Sequence, residues 1–220
     1  MSSTTTEGHP GLFLVFEGVE GAGKTTHLRR ISRRLDRIGI AHLVVREPGG
    51  TPAGERIRSV VLDPDSELFA ETELLLILAA RAEFARRVVR PALARGELVL
   101  ADRYELSTFA YQGVARGIGI ELARTLNDFA TGGLRPDGTV LLELDPADGR
   151  ARKLGAADRI ESEDEAFHGA VADAYVRLAG SEPGIIRVAS SGTPDAVHRA
   201  IWSELSSRWP DRFPPGTSEP

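Results

Sequence analysis

Residues 18–25 read Gly-Val-Glu-Gly-Ala-Gly-Lys-Thr and fit the pattern G-x-x-x-x-G-K-[ST] of a phosphate-binding loop. Glycines let the backbone curl so that successive N–H groups point at phosphate oxygens, and the dipole of a following helix adds to that field. Lys24 is predicted to reach the β- and γ-phosphates, and the Thr25 hydroxyl to bind Mg²⁺. The predicted nucleotide-binding residues are Gly18, Val19, Glu20, Gly21, Ala22, Gly23, Lys24, Thr25 and Thr26. The pattern indicates that the chain binds a nucleoside triphosphate.

The elements around this loop predict an α/β fold. An apolar run at 12–16 predicts a buried strand, and 25–38 predicts a helix that ends at Gly39. Further strands are predicted at 41–46, 97–101, 139–144 and 185–189, and helices at 53–62, 71–95, 105–115 and 121–131. Strands that alternate with helices predict a mostly parallel sheet. The turns at 18–25, 46–51, 102–104 and 145–160 all follow strand ends, so we expect them to converge where such sheets bind ligands.

Length and composition limit the class of protein. The 220 residues suit one α/β domain, predicted at 11–208, with disordered tails at 1–10 and 209–220. The chain has no cysteine, which excludes disulfides and thiolate metal sites and agrees with a cytoplasmic location. A net charge of −5 argues against a nucleic-acid binder, and no apolar run approaches the ~20 residues of a membrane span.

The loop alone leaves GTPases, ATPases and small-molecule kinases open. The guanine-reading turn Asn-Lys-x-Asp cannot form, because Asn127 is the only asparagine and Asp128 follows it. Asp102 ends a predicted strand and could hold Mg²⁺ in an ATPase, but Arg103 beside it suits a clamp on a second phosphate. Four arginines lie on or next to the converging turns: Arg46, Arg58, Arg81 and Arg103. Guanidinium groups suit phosphate oxygens, so this set favours an anionic acceptor.

Four segments resemble the bacterial thymidylate kinase family in order and spacing. They are FEGVEGAGKTT (16–26), REPGGTPAGERIR (46–58), ADRYELSTFAYQGVARGIG (101–119) and DRIESED (158–164), and the similarity covers nearly all of 12–205. The resemblance implies a P-loop nucleoside monophosphate kinase fold, with a five-stranded parallel sheet flanked by helices and a mobile lid at about 146–161. It also implies Mg²⁺-dependent phosphoryl transfer from ATP to thymidine monophosphate (dTMP), which gives the diphosphate, and a homodimer.

The resemblance further assigns residues to the acceptor phosphate and sugar. Arg58 and Arg103 match the residues that hold the acceptor phosphate, and Glu20 matches an acidic residue near the acceptor sugar and phosphate. Glu47 and Pro48 match a turn beside the acceptor, although a plain β-turn explains them equally well.

For the base, Arg81, Thr108 and Gln112 match positions that contact thymine O4 and N3. Tyr111 matches an aromatic residue near the sugar 2′ carbon, although it also fits an ordinary half-buried helix residue. Ile77 stands where the family usually has a phenylalanine that stacks on thymine. This departure motivates an alternative function, a related P-loop kinase with a shifted pyrimidine monophosphate acceptor.

The loop has no basic residue between Gly18 and Gly23, and related enzymes of this kind carry catalytic arginines in the lid. Arg150 and Arg152 match those positions, whereas Leu154, beside Lys153, replaces a third arginine. The predicted catalytic residues are Lys24, Glu20, Arg103, Arg150 and Arg152, and the predicted metal-binding residues are Thr25 and Asp102. A third hypothesis, a nucleotide switch that binds a partner without phosphoryl transfer, draws on the phosphate loop alone.

Overall fold

A five-stranded parallel sheet forms the centre of the protein. The computed structural model describes residues 10–152 and 157–216. The strands lie in the order β2-β3-β1-β4-β5 and comprise β1 (Leu12–Glu17), β2 (His42–Arg46), β3 (Leu98–Asp102), β4 (Gly138–Glu143) and β5 (Ile185–Ala189). Each neighbouring pair is parallel. The predicted strands are confirmed, with every bound within one residue of the structure.

Helices cover both faces of the sheet. They are α1 (Lys24–Arg37), α2 (Pro52–Leu62), α3 (Ala70–Phe84), α4 (Arg90–Ala94), α5 (Glu105–Thr108), α6 (Ile120–Thr131), α7 (Pro146–Ala151), α8 (Glu165–Ser181) and α9 (Pro194–Arg208). Successive side chains of β1 enter different cores, with Leu14 and Phe16 on one face and Phe13 and Val15 on the other. All of them are buried, as expected for a central strand covered on both sides.

Two predicted helices are interrupted by π-helical turns. The segment 71–95 consists of α3, a π-helical turn at Ala85–Val89, and α4. Pro91 lies in the first turn of α4 and has no backbone N–H, so a regular α-helical ladder cannot continue through it. The segment 105–115 consists of α5 and a second π-helical turn at Phe109–Ala115. Such turns are frequent at functional sites, and this one carries two predicted substrate residues. Helices α7, α8 and α9 have no counterpart among the predicted helices, and α7 lies within the segment 145–160 that was predicted as a turn.

The domain extends beyond residue 208, where the predicted tail was to begin. Phe213 is completely buried, and its ring packs edge-to-face on Trp202 with the ring centres 5.4 Å apart. Arg212 donates from Nη2 to the carbonyl oxygens of Pro10 (3.0 Å) and Gly96 (3.1 Å). The proline content suggested disorder, but burial of one aromatic side chain outweighs that tendency. The remaining tail predictions, at 1–9 and 217–220, lie outside the described residues.

Within the described ranges, no helix combines the length and the apolar character needed to cross a membrane.

Candidate active site

A cavity of about 920 Å³ opens at the carboxyl ends of the strands. It brings together residues that follow β1, β2, β3 and β5, as the convergence of the turns predicts. The predicted site residues that line it are Glu20, Gly21, Ala22, Gly23, Lys24, Thr25, Thr26, Glu47, Pro48, Arg58, Ile77, Arg81, Asp102, Arg103, Thr108, Tyr111, Gln112 and Arg152. Gly18, Val19 and Arg150 do not line it.

The phosphate loop holds the lysine side chain back against the backbone. Lys24 Nζ donates to the carbonyl oxygens of Gly18 (3.0 Å) and Val19 (2.9 Å), and the residue is buried. Burial and the nearby Arg103 guanidinium lower the pKa of Lys24 to about 8. A Cβ atom on Gly21, whose φ is 72°, would lie 2.1 Å from the Gly149 carbonyl oxygen of α7, so only glycine fits there. A cation desolvated in this way gains more from an anionic ligand than an exposed one does.

Two side-chain oxygens that could bind a metal ion lie next to each other beside the phosphate loop. Thr25 is the second residue of α1, and its hydroxyl donates a hydrogen bond to Asp102 Oδ2 at 2.6 Å. Asp102 ends β3, the strand that pairs with β1, so the sheet register brings the two residues together. A hydroxyl and a carboxylate are ligands suited to Mg²⁺, which takes few protein ligands and keeps several waters.

Arg103 follows β3 and has a backbone conformation that is unusual for a non-glycine residue. Its φ is 71°, in the left-handed region. Its Nη1 donates to Gly18 O (3.2 Å), Ser107 Oγ (3.0 Å) and Tyr175 OH (3.2 Å), and Nη2 lies 3.3 Å from Glu20 Oε2. The guanidinium is therefore held at the cavity wall by side chains and backbone together.

Arg81 is the centre of a buried network rather than a free surface cation. It is 2% exposed, and four hydrogen bonds run from it: Nε to Glu47 Oε2 (2.6 Å), Nη1 to Thr108 Oγ1 and Asn127 Oδ1 (2.9 Å each), and Nη2 to Tyr104 O (2.9 Å). Burial raises the pKa of Glu47 to about 7, although Arg81 opposes this shift. The Glu47–Pro48 peptide bond is cis.

The other arginines of the predicted acceptor set differ from one another. Arg46 pairs with Glu55 at 3.0 Å on the surface, and both side chains are largely exposed. Arg58 lines the cavity and donates from Nη1 to the Pro48 carbonyl oxygen at 3.0 Å. Of the four arginines, Arg58 and Arg103 have guanidinium groups directed at the cavity without a buried carboxylate partner that consumes them.

The predicted base-reading residues lie together at one end of the cavity. Ile77 and Gln112 are both buried, and Gln112 Nε2 donates to Glu73 Oε1 at 2.7 Å. Tyr111 is 8% exposed, and the Arg103 guanidinium carbon lies 5.2 Å from the centre of its ring. Tyr111 is thus a largely buried helix residue that still contributes to the cavity wall.

Comparisons with known proteins identify the family. A family model described as thymidylate kinase matches residues 16–201, and the chain is 49% identical over 201 residues to a thymidylate kinase of Deinococcus radiodurans, a match that covers 90% of this chain and 98% of that one. The chain belongs to the thymidylate kinase family. It is also 46% identical over 195 residues to a Pseudomonas entomophila thymidylate kinase, which covers 87% of this chain and 93% of the relative.

A solved structure agrees with this family assignment. The crystal structure of thymidylate kinase from Ehrlichia chaffeensis superposes with a TM-score of 0.74 at 27% identity, over 89% of this chain and 98% of that chain. The predicted P-loop nucleoside monophosphate kinase fold is therefore confirmed. The comparisons give no support to the alternative with a shifted pyrimidine acceptor.

The segment that the thymidylate kinase resemblance predicts as a lid contributes unequally to the site. Arg152 lines the main cavity and donates from Nη1 to Ser190 O at 3.0 Å. Arg150 instead lies 3.1 Å from Glu165 on the surface and lines a separate cavity of about 190 Å³. Lys153 and Leu154 lie outside the described residues.

Sequence reasoning missed a buried carboxylate that shapes the thymidylate kinase site. Glu17, at the end of β1, is completely buried and accepts four hydrogen bonds: from Tyr104 N (2.8 Å), Ser107 N (3.1 Å), Ser107 Oγ (2.6 Å) and Tyr175 OH (2.9 Å). Ser107 and Tyr175 also bind Arg103, so Glu17 fixes the partners of that guanidinium. A charged residue that ends an otherwise apolar strand is the available signal.

Proposed function

We infer that this cavity carries out the reaction of the family, the transfer of the γ-phosphoryl group of ATP to dTMP. The chain is an ATP-dependent kinase that phosphorylates thymidine monophosphate to thymidine diphosphate. One observation carries the assignment of the cavity to this reaction. The carbonyl oxygen of Gly18 accepts hydrogen bonds from Lys24 Nζ (3.0 Å) and from Arg103 Nη1 (3.2 Å), so the donor-side and acceptor-side cations meet at one point.

That point is where two negatively charged phosphates must approach each other. Phosphoryl transfer needs little covalent help from a protein, and it depends on positioning and on neutralisation of charge. Lys24, together with the loop amides, holds the donor phosphates, while Arg103 and Arg58 hold the acceptor phosphate. When the phosphates bind, Lys24 and Arg103 exchange the carbonyl oxygen of Gly18 for phosphate oxygens, which are stronger hydrogen-bond acceptors.

Thr25 and Asp102 are the proposed ligands of Mg²⁺, since their oxygens lie 2.6 Å apart at the cavity beside Lys24. When bound, Mg²⁺ would neutralise charge on the donor phosphates. These two side chains hold the proton of the Thr25 hydroxyl between them in the present arrangement. Each presents a hard oxygen to the loop.

The acceptor base fits the opposite end of the cavity. Of the five N–H groups of an arginine, Arg81 uses four within the protein, which leaves one Nη2–H for a base oxygen. Thr108 and Gln112 supply further polar atoms, Ile77 covers the ring, and Tyr111 lies on the sugar side. An aliphatic cover gives up roughly 1 kcal/mol of stacking relative to an aromatic ring.

The lid arginines supply the cation that the phosphate loop lacks. Arg152 already lines the cavity, and Arg150 would have to exchange Glu165 for a phosphate oxygen as the lid closes. Glu20 remains near the acceptor through its contact with Arg103. A cytoplasmic location, as predicted, fits a reaction that consumes ATP.

A coupled assay of ADP release tests the proposed function. We expect dTMP to raise ADP release far above background with Mg²⁺, and excess EDTA to abolish it. The kcat/KM for dTMP should exceed that for deoxyuridine or deoxycytidine monophosphate by at least about tenfold. If no monophosphate raised ADP release, the kinase assignment would fail. A preference above tenfold for a base other than thymine would revive the shifted-acceptor alternative.

We propose further that the protein is a homodimer through the outer face of α3 and α6. Phe69 and Phe129 are 84% and 85% exposed, and Leu75 and Leu122 are also exposed on these packed helices. Exposed apolar side chains that cluster on one face are typical of a protein–protein interface, and a second copy would cover them. Sedimentation should give twice the monomer mass, and the double variant F69S/F129S should sediment as a monomer. A monomeric wild type at micromolar concentration would contradict this interface.

A further inference from the structure

Glu73 is a buried carboxylate that connects Gln112, at the acceptor end of the cavity, with Arg116 and Arg159. It lies in the first turn of α3 and is 0% exposed. It accepts hydrogen bonds from Gln112 Nε2 (2.7 Å), from Arg116 Nε (3.2 Å) and Nη2 (3.0 Å), and from Arg159 Nη2 (2.6 Å). Neither the phosphate loop nor the acceptor arginines touch it in this network.

The carboxylate remains charged in this position. Burial by itself would raise the pKa of Glu73, but the hydrogen bonds from Arg116, Gln112 and Arg159 hold it below the ordinary value. Two guanidinium groups balance its charge, which is the arrangement that makes a buried carboxylate tolerable. At neutral pH Glu73 therefore acts only as an acceptor of hydrogen bonds.

This charge state dictates which way the Gln112 amide faces. The atom 2.7 Å from an ionised carboxylate oxygen must be the NH₂ group, because an amide oxygen there would meet a second acceptor. The carbonyl oxygen of Gln112 then lies on the opposite side of the amide. No described residue donates a hydrogen bond to that oxygen, and Gln112 lines the cavity. The site consequently presents an acceptor, and not a donor, from this residue.

The remaining polar atoms at this end are donors. Arg81 has one unused Nη2–H, and Thr108 accepts from Arg81, so its own hydroxyl hydrogen can point outward. A 2,4-dioxopyrimidine has a donor at N3 and an acceptor at O4, which matches this set. A 4-aminopyrimidine has an acceptor at N3 and a donor at the amino group, so both of its polar atoms would face like partners.

A free glutamine amide could rotate by half a turn and serve either base. We propose that Glu73 is a positioning residue that prevents this rotation and thereby makes the site selective for a 2,4-dioxopyrimidine over a 4-aminopyrimidine. The inference rests on the proposed function. It adds a cause for base selectivity, because Glu73 acts on the base through its hydrogen bond to Gln112.

The helix supports this role by its geometry. Glu73, Ile77 and Arg81 follow one another at four-residue spacing, so they lie on one face of α3. One rigid element thus carries the orienting carboxylate, the residue that covers the base, and the guanidinium donor. Arg159 also donates from Nε to Val61 O at 2.8 Å, which ties Glu73 to the end of α2.

The test compares three monophosphates with matched variants. Glu73→Gln keeps the shape but lets two amides pair in either orientation. We expect it to reduce the dTMP-to-dCMP ratio of kcat/KM by about tenfold or more, through a higher KM for dTMP and new turnover of dCMP, whereas the dTMP-to-dUMP ratio stays unchanged. Glu163→Gln is the control, since Glu163 pairs with Arg116 at 2.6 Å without touching Gln112. It should leave both ratios unchanged.

Glu73→Asp provides a second variant if Glu73→Gln does not fold, because it keeps the charge while shortening the reach to Gln112, and it should lower the same ratio. A folded Glu73 variant with an unchanged dTMP-to-dCMP ratio would overturn the proposal, as would a wild type that uses dCMP as well as dTMP. A wild type inactive with every monophosphate would instead defeat the proposed function itself.

Discussion

Lys24→Ala is expected to lower kcat for ATP and dTMP by more than about a hundredfold. The ammonium group is the cation that the loop aims at the transferring phosphoryl group, and removal of one preorganised donor of this kind costs roughly 3–4 kcal/mol of transition-state stabilisation. Nearby Arg103 does not replace it, because its Nη1 is held by Gly18, Ser107 and Tyr175 and its Nη2 contacts Glu20.

The same substitution should leave the fold intact. Burial lowers the pKa of Lys24, which means that the empty protein holds this charge at a cost and loses little stability when the charge is removed. Initial rates of ADP release at saturating substrates and the melting temperature measure the two effects. Arg33→Ala removes a cation from an exposed position of the same helix and should keep full activity. Retention of more than about 1% of the wild-type kcat would contradict the role given to Lys24.

The strands were predictable because their signals are local. Apolar runs such as 12–16 and 98–101 specify buried parallel strands with little help from the rest of the chain, and the phosphate loop fixes its own strand-loop-helix context. The π-helical turns were not predictable in this way. Pro91 marks where the helical segment 71–95 must be interrupted, but no residue in either segment specifies a π-helical turn at Ala85–Val89 or at Phe109–Ala115.

The helix α8 illustrates a different limit. Phe167, Val171, Ala174 and Leu178 are buried at helical spacing, so its pattern is readable in principle. It begins four residues after the segment that the resemblance predicts as a lid, and no helix was predicted there. Tyr175, a partner of Arg103, was missed for this reason.

Residue type alone could not separate the arginines of the site. Arg81 and Arg103 are both predicted to lie next to the converging turns, yet Arg81 is bound by four partners from three separate parts of the chain, including Asn127 on α6. Those partners lie up to 46 residues away along the chain. Glu17 and Glu73 are similar cases, since each is a single carboxylate whose importance arises only when distant donors surround it.

Arg103→Ala is the second large effect that we expect. It should reduce kcat/KM for dTMP by roughly a hundredfold or more, because loss of one partner from a desolvated charge pair costs about 2–5 kcal/mol. The KM for ATP should change little. Arg103 is a like charge that lowers the pKa of Lys24, so its removal makes the lysine no weaker as a ligand of the donor phosphates. Steady-state rates with each substrate varied in turn measure this difference.

The backbone conformation of Arg103 permits a sharper control. Because its φ of 71° is strained for any residue with a Cβ, Arg103→Gly should relieve about 1 kcal/mol that Arg103→Ala retains. Glycine should therefore give the higher melting temperature of the two, while dTMP turnover stays equally low. Arg103→Lys keeps the charge without the fork and should recover only part of the activity. If Arg103→Gly restored turnover with dTMP, the backbone turn would be the functional element and the guanidinium would not, since Glu17 continues to hold Ser107 and Tyr175 in every one of these variants.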